Sequence, residues 1–290
     1  MRPADGKALL GAALAFALVA LAPSGAHAYC RSTGSTGDLC NAPSSRPQLY
    51  WSSRCAGFVV QSEPTMITSS PSLEVDQAFG AWQGRLCGSG DAAQSPSLRL
   101  LVFGSQPSLK VEYRVGGTNQ NVVVFQKLPG EDIGLAAKTT VTFSMATGEI
   151  LDTDILIDER SGAIDLPSIL THEAGHALGL AHSLDREATM DPTTEEGEIK
   201  KRSLNQDDAD GVCAIYPPNG TRPTAAGIIA ATPCNLTTAG SSCTPEVSGG
   251  CATGGRDAGA GGMGTILVGV IALALRRRRG VVLSPLTKSE

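Results

Sequence analysis

Histidine is almost absent from this chain of 290 residues: there are four, His27, His172, His176 and His182. Aromatic residues are also scarce, at 4%, and charged residues reach only 18%. That is too little charge for a coiled coil or an acidic disordered tail. Basic residues are sparse in the body of the chain. Residues 29–250 hold 15 Lys and Arg against 25 Asp and Glu, a net charge of −10. No basic stripe exists to neutralise phosphates, which excludes nucleic acid as a partner. No internal repeat is visible. What is present is 41% hydrophobic residues with 34 Gly and 17 Pro, the mix of a loop-rich globular chain with length for one good-sized domain or two small ones.

The two ends differ from the body. Arg2 and Lys7, with Asp5 between them, precede an apolar run over 8–22, and Ala26-His27-Ala28 supplies the small-x-small pattern of a leader cleavage site. This predicts a secretory signal over 1–28, cleaved after Ala28. His27 leaves with it. At the other end, residues 258–275 carry no charge and Arg276 to Arg279 follow at once. The run is near the lower limit for a membrane span, with the arginines on the cytoplasmic side. Cys251, small residues, a short apolar span and an Arg cluster resemble the MYXO-CTERM tails of myxobacterial surface and secreted proteins. That resemblance covers about 250–280 and implies a sorting or anchoring signal. The residues 280–290 depart from it, since such tails usually stop at the arginines. An ordinary single-span anchor is the alternative.

Eight cysteines in an exported chain imply disulfides. With Cys251 assigned to the tail, nearest-neighbour pairing gives Cys30–Cys40, Cys55–Cys87 and Cys234–Cys243 and strands Cys213. Residues 218–250, rich in Pro, Thr, Gly and Ser, read as a linker. The domain is therefore expected over 29–217, with its core at about 48–217, and the tail over 251–290.

Within the domain, Ser70 and Pro71 open a helix over 72–86 on which Phe79, Trp82 and Leu86 recur at helical spacing. Strands are predicted over 98–103, 121–126, 139–144 and 149–158. In the last of these, Ile150, Asp152, Asp154 and Leu156 share one face. A helix is predicted over 166–178, and another over 205–215 with Asp207 and Asp208 in its first turn.

The chemistry lies in Thr171-His172-Glu173-Ala174-Gly175-His176-Ala177-Leu178-Gly179-Leu180-Ala181-His182. His172 and His176 are one helical turn apart on one face, the spacing that presents two imidazoles to one zinc ion. Glu173 sits beside the metal but too far round to ligate it, so it can take a proton from the attacking water. Gly179 accepts the positive φ that ends the helix and brings His182 back as third ligand. Three histidines solvated on a helix face would explain neither Glu173 nor Gly179.

The stretch resembles the metzincin motif HExxHxxGxxH followed by a Met-turn, here Ala188-Thr189-Met190-Asp191-Pro192. The lead-in Leu166-Pro167-Ser168-Ile169-Leu170 and the closing run from Leu204 to Tyr216 are similar to matrixins in particular. The resemblance spans about 48–217. It implies an α+β metzincin (zincin-like) catalytic domain: a twisted, mostly parallel sheet with an antiparallel edge strand, an active-site helix and a C-terminal helix. It implies one catalytic Zn2+ on His172, His176 and His182, with Met190 as an apolar floor beneath it. It further implies a protein or peptide substrate lying antiparallel to the strand over 149–158, which would make Ile150, Asp152 and Asp154 substrate-binding, with Pro192 and the next two residues walling the specificity pocket. The departures are clear. No PRCGxPD-type cysteine switch occurs, so latency, if any, has another source. No fourth histidine remains after 28 for a second His-built zinc site. Asp152, Asp154 and Asp158 offer a possible calcium site that nothing else supports, and exposed strand carboxylates are the plainer reading.

The sequence thus predicts a secreted or surface-attached, monomeric zinc endopeptidase with no nucleic-acid partner, touching the membrane only through its C-terminal tail. A surface adhesin on a protease scaffold is the alternative from another class, and it is disfavoured because no ligand and no catalytic Glu is lost. A zinc hydrolase of a non-peptide bond is a third.

Overall fold

Helical spacing and a proline in the first turn place the first helix close to where the sequence puts it, although Ser70 makes no side-chain cap bond. Pro71 occupies the first turn of α1 (Pro71–Gln83), and Val75, Ala78, Phe79 and Trp82 form its buried stripe. The computed structural model describes residues 28–33, 46–117, 119–130, 135–234 and 266–275. The strands before and after α1 are β1 (Cys30–Arg31), β2 (Cys55–Gln61), β3 (Arg99–Gln106), β4 (Asn121–Gln126), β5 (Leu135–Ser144) and β6 (Ile150–Asp158). Helix α2 (Leu166–Ala177), β7 (Leu180–Ala181), β8 (Thr193–Thr194), α3 (Gln206–Ile215), β9 (Thr221–Thr224), β10 (Gly227–Ala230) and β11 (Ile266–Leu275) complete the described chain.

The main sheet has the order β3-β2-β4-β6-β5-β11-β8. Strands β3, β2, β4 and β6 run parallel, and β5 is antiparallel to β6. Helices α1 and α2 cover one face. Phe58, Val123, Phe125, Val141, Phe143, Ile155 and Ile157 meet Val75, Phe79, Trp82, Ile169 and Leu170 in a single core. Phe58 and Phe79 lie 5.0 Å apart in a tilted pair. The expected architecture of a mostly parallel sheet with an antiparallel strand is the one observed.

Strand β2 was not anticipated. It is central, and all but its last residue are buried, so it shows a short apolar run, Gly57-Phe58-Val59-Val60, instead of alternation. Its omission shifts the strand count by one. The strand predicted over 149–158 is β6, and β6 is hydrogen-bonded on both sides, to β4 and β5. No further chain can add to it. Ile150, Asp152 and Asp154, expected to contact substrate, therefore lie buried on an interior strand. One step along, β5 pairs with β6 on one side and with β11 on the other.

The face assignment within β6 is also corrected at one residue. Register shifts between Thr142/Asp152 and Phe143/Ile150, a bulge that turns Ile150 into the helix-side core with Phe143. Asp152, Asp154 and Leu156 stay on the other face. There Leu156, Val122, Val124 and Leu128 are covered by Leu109 and Val111.

That cover buries the carboxylates expected to be exposed. Asp152 and Asp154 are each 2% exposed. Asp154 accepts the Val122 N–H at 3.2 Å, and Asp152 Oδ1 has no hydrogen-bond partner. Burial pushes both carboxyls well above the usual carboxylate range, and Asp152 adds to the rise at Asp154. Such a shift costs stability as pH climbs. The unfolded chain ionises these groups near pH 4, and the folded one resists until much higher pH, so stability falls through that window. Asp154→Asn keeps the oxygen that accepts from Val122 and removes the titration. Its stability is expected to match the parent near pH 4 and to exceed it increasingly to pH 8, by about 1 kcal/mol or more. A constant difference across pH in a thermal melt series would contradict this. Asp158 is held down by Arg160, whose Nη2 lies 2.6 Å away.

The covalent frame also differs from nearest-neighbour pairing. Cys55 bonds Cys234 and Cys87 bonds Cys213, across sequence separations of 179 and 126. Cys30 is disulfide-bonded as well, and its expected partner Cys40 lies outside the described residues. The Cys234 bond extends the folded unit beyond 217. Strands β9 and β10 form a hairpin, and Arg222 is fully buried, donating to Trp51 O, Ser53 O and Ser97 Oγ. Residues 218–234 thus belong to the domain and not to a linker.

Residues 266–275, part of the predicted span, form β11 on the sheet. Among the described residues no helix is long and apolar enough to cross a membrane.

Candidate metal centre

Helix α2 carries the site, and both of its ends are fixed by identifiable groups. Asp165 caps the start by accepting the Ser168 N–H at 3.0 Å. At the other end Trp51 Nε1 donates to Ala177 O at 2.8 Å and the Tyr216 hydroxyl to Leu178 O at 2.7 Å. These contacts satisfy carbonyls that the helix terminus leaves open. Gly179 then has φ of 89°, and a Cβ there would lie 2.9 Å from Leu49 O. Both the conformation and the close approach require glycine. The chain reverses into β7, which pairs antiparallel with β1, and delivers His182.

The three imidazoles converge. Ring centroids of His172 and His176, His172 and His182, and His176 and His182 lie 4.7, 5.4 and 4.8 Å apart. One ligand atom from each can be chosen so that all lie within 4.8 Å of one another, and among the described residues this is the only such group of three or more His, Cys, Asp or Glu. His172 Nδ1 is 2.7 Å from Thr189 O and His176 Nδ1 is 2.9 Å from Leu180 O. A carbonyl can only accept, so each Nδ1 carries the proton and each Nε2 offers its lone pair. Those two Nε2 atoms are buried and make no hydrogen bond. Burial pushes all three imidazoles down, His182 to about 4, which keeps them neutral and competent as ligands. Orphaned, neutral, preoriented nitrogens in a three-histidine set fit a zinc ion and leave a fourth position open.

Glu173 is fully buried beside them. Its Oε2 accepts from the Thr139 hydroxyl of β5, and its Oε1 has no partner. Burial pushes its carboxyl up to about 8, opposed by the Thr139 hydrogen bond and the Lys201 ammonium. Lys201 is itself 1% exposed, donates to Asp191 O, and is pushed down to about 8 by burial.

Met190 lies beneath the site, 2% exposed. Its turn is tied by Asp208 of α3, which accepts Thr189 N–H at 2.7 Å, Met190 N–H at 3.0 Å and Asn205 N–H at 2.9 Å. Sequence reasoning read Asp207 and Asp208 only as helix-dipole residues. Asp208 in fact fixes the floor, and Asp207 accepts the Ala28 and Tyr29 N–H groups and the Ser183 hydroxyl next to His182. Pro192 is half-buried and leads into β8, where the specificity wall was expected. Thr139, Lys201 and Asp208 had no sequence signal, because their roles arise only when distant elements meet α2.

Two imidazoles one helical turn apart, a third after a glycine reversal, a buried glutamate and a methionine floor define the metzincin class of zinc site. The chain belongs to the matrixin family, whose profile matches residues 51–217. It is 46% identical over 66 residues to metalloendoproteinase 4-MMP of Arabidopsis thaliana, covering 23% of this chain and 18% of that one. It is 36% identical over 84 residues to human matrilysin, covering 27% and 32%. Bovine interstitial collagenase is 48% identical over 62 residues, covering 20% and 13%. The chain thus spans a third or less of the length of these relatives.

Proposed function

We propose that this protein is an exported zinc-dependent endopeptidase in which Glu173 is the general base. The observation that carries the reading is the convergence of three buried histidines with a buried, half-unpartnered glutamate on the same helix. Zinc, when bound, polarises the scissile carbonyl and acidifies the attacking water. His172, His176 and His182 would hold it, with Nδ1 of the first two fixed by backbone carbonyls. Thr139 holds one carboxylate oxygen of Glu173, and the other is free to take the proton from the water and pass it to the leaving amine.

The substrate is a protein or peptide in extended form. Antiparallel addition to β5, on the side where β11 pairs, would bring it past Glu173, in place of addition to 149–158. Two long-range disulfides fit an oxidising compartment. Two of these relatives are named a metalloendoproteinase and a collagenase, and the same class of reaction is proposed here. Because every ligand and Glu173 are in place, the adhesin reading gains no observation. The deciding experiment is to measure bound zinc and cleavage of a peptide library with and without a chelator. Chelator-sensitive cleavage is expected, and its absence from the zinc-loaded protein would overturn the reading.

Leader removal after Ala28 makes a further check possible. The Tyr29 nitrogen, 2.7 Å from Asp207 Oδ1, would become an ammonium facing that carboxylate. Asp207→Asn is then expected to destabilise the chain starting at Tyr29 by about 1 to 3 kcal/mol, and to cost less in a chain that keeps its leader. Equal losses in both by thermal melt would remove the leader from the argument.

A further inference from the structure

Strand β11 lies between two edges that both belong to the metal centre. It pairs antiparallel with β5 from Ile266 against Ser144 to Ala274 against Leu135, and parallel with β8 at Ala274–Thr193 and Leu275–Thr194. Its Ile271 is paired with Thr139, the residue whose hydroxyl holds Glu173. The strand therefore crosses the centre at the catalytic glutamate, with the backbone polarity assigned above to a substrate.

We propose that residues 266–275 act as an internal occupant of the substrate slot, which must withdraw before another chain can be cleaved. This rests on the peptidase reading of the site. Four observations support it. Both edges of the slot are engaged by one strand, so the occupant fills the space that substrate needs. The segment Ile266-Leu267-Val268-Gly269-Val270-Ile271 is rich in β-branched residues, which favour strands. The 31 residues from 235 to 265 join it to Cys234, and at ~3.3 Å per residue that connection is ample for the strand to leave and return. Finally, charge follows the two parallel strands in a complementary way: in the sequence Leu275 is followed by four arginines, and Thr194 by Glu195, Glu196 and Glu198. The arginines lie outside the described residues. The chain lacks a cysteine-switch stretch, and the occupant supplies latency by another route: competition for hydrogen bonds along β5, without a ligand to the metal.

The test uses the full, zinc-loaded chain and the double variant Val270→Pro/Ile271→Pro. Adjacent residues of a strand direct their N–H groups to opposite neighbours, so one of the two prolines removes a donor to β5 whichever way the strand is phased. Intact mass confirms that the tail is retained in both proteins. If the open form is about a tenth of the population or less, cleavage of a reporter peptide rises about tenfold or more in the variant. A synthetic peptide of residues 264–279 added to the variant is expected to restore inhibition competitively, raising KM and leaving kcat unchanged. Equal rates in parent and variant, with no inhibition by the peptide, would overturn the proposal and leave the segment as a sorting or membrane element. No cleavage by either protein, zinc being bound, would instead overturn the peptidase reading, so the two failures are distinguishable.

Discussion

Glu173→Ala is expected to retain zinc and to lose peptide hydrolysis by about 10^3-fold or more, the scale of a removed general base. The metal should stay because nothing that orients the ligands passes through Glu173. His172 is fixed by Thr189 O, His176 by Leu180 O, and His182 by the Gly179 reversal. The loss should fall on kcat, since the carboxylate acts on a proton that moves only during reaction. Thr139→Val tests the same step more gently. It removes the hydroxyl that holds Oε2 but leaves the carboxylate, and a lost hydrogen bond to a charged group predicts a fall of about ten- to a hundredfold. Full activity in Glu173→Ala, with zinc confirmed by metal analysis, would remove Glu173 from the mechanism.

How much of this was legible in the sequence follows from distance along the chain. The ligand set is written within eleven residues because a helix converts a spacing of four into one face, and a glycine converts the next three into a reversal. α1, α2, α3, β4 and β6 lie within a few residues of their predicted bounds, since each carries its own cap, period or alternation. β2 carried none, being buried on both faces. Disulfide pairing failed for a similar reason. Cys55–Cys234 and Cys87–Cys213 close only after the sheet and α3 are assembled, and no local feature encodes that. The supporting residues behaved alike. Trp82, Thr139, Lys201 and Asp208 come from four separate elements, and only their common contact with α2 or the methionine turn gives them a role.

Gly175→Val should be the most damaging single change outside the ligands and Glu173. Helix propensity alone argues the opposite, because glycine in a helix interior costs ~1 kcal/mol relative to alanine. Space decides against it. A Cβ on Gly175 would lie 2.2 Å from Met190 Sδ and 2.6 Å from Trp82 Cζ2, well inside any real contact. Trp82 cannot swing away without breaking its bond to Thr171 O at 2.8 Å. Met190 cannot drop because Asp208 holds its backbone. The strain must therefore push α2 away from its floor, and α2 carries His172 and His176 on either side of Gly175. Overpacking of this kind costs about 1–3 kcal/mol for a methylene or so, and valine adds more bulk than that. The expected outcome is a loss of about 3 kcal/mol or more with weakened zinc retention. Gly175→Ala should show the same direction at smaller size, its steric cost offset in part by the propensity gain. The discriminating measurement is paired: thermal stability of the zinc-free protein, and zinc affinity against a competing chelator. Damage confined to activity, with both quantities unchanged, would mean that the methionine floor does not position the metal ligands.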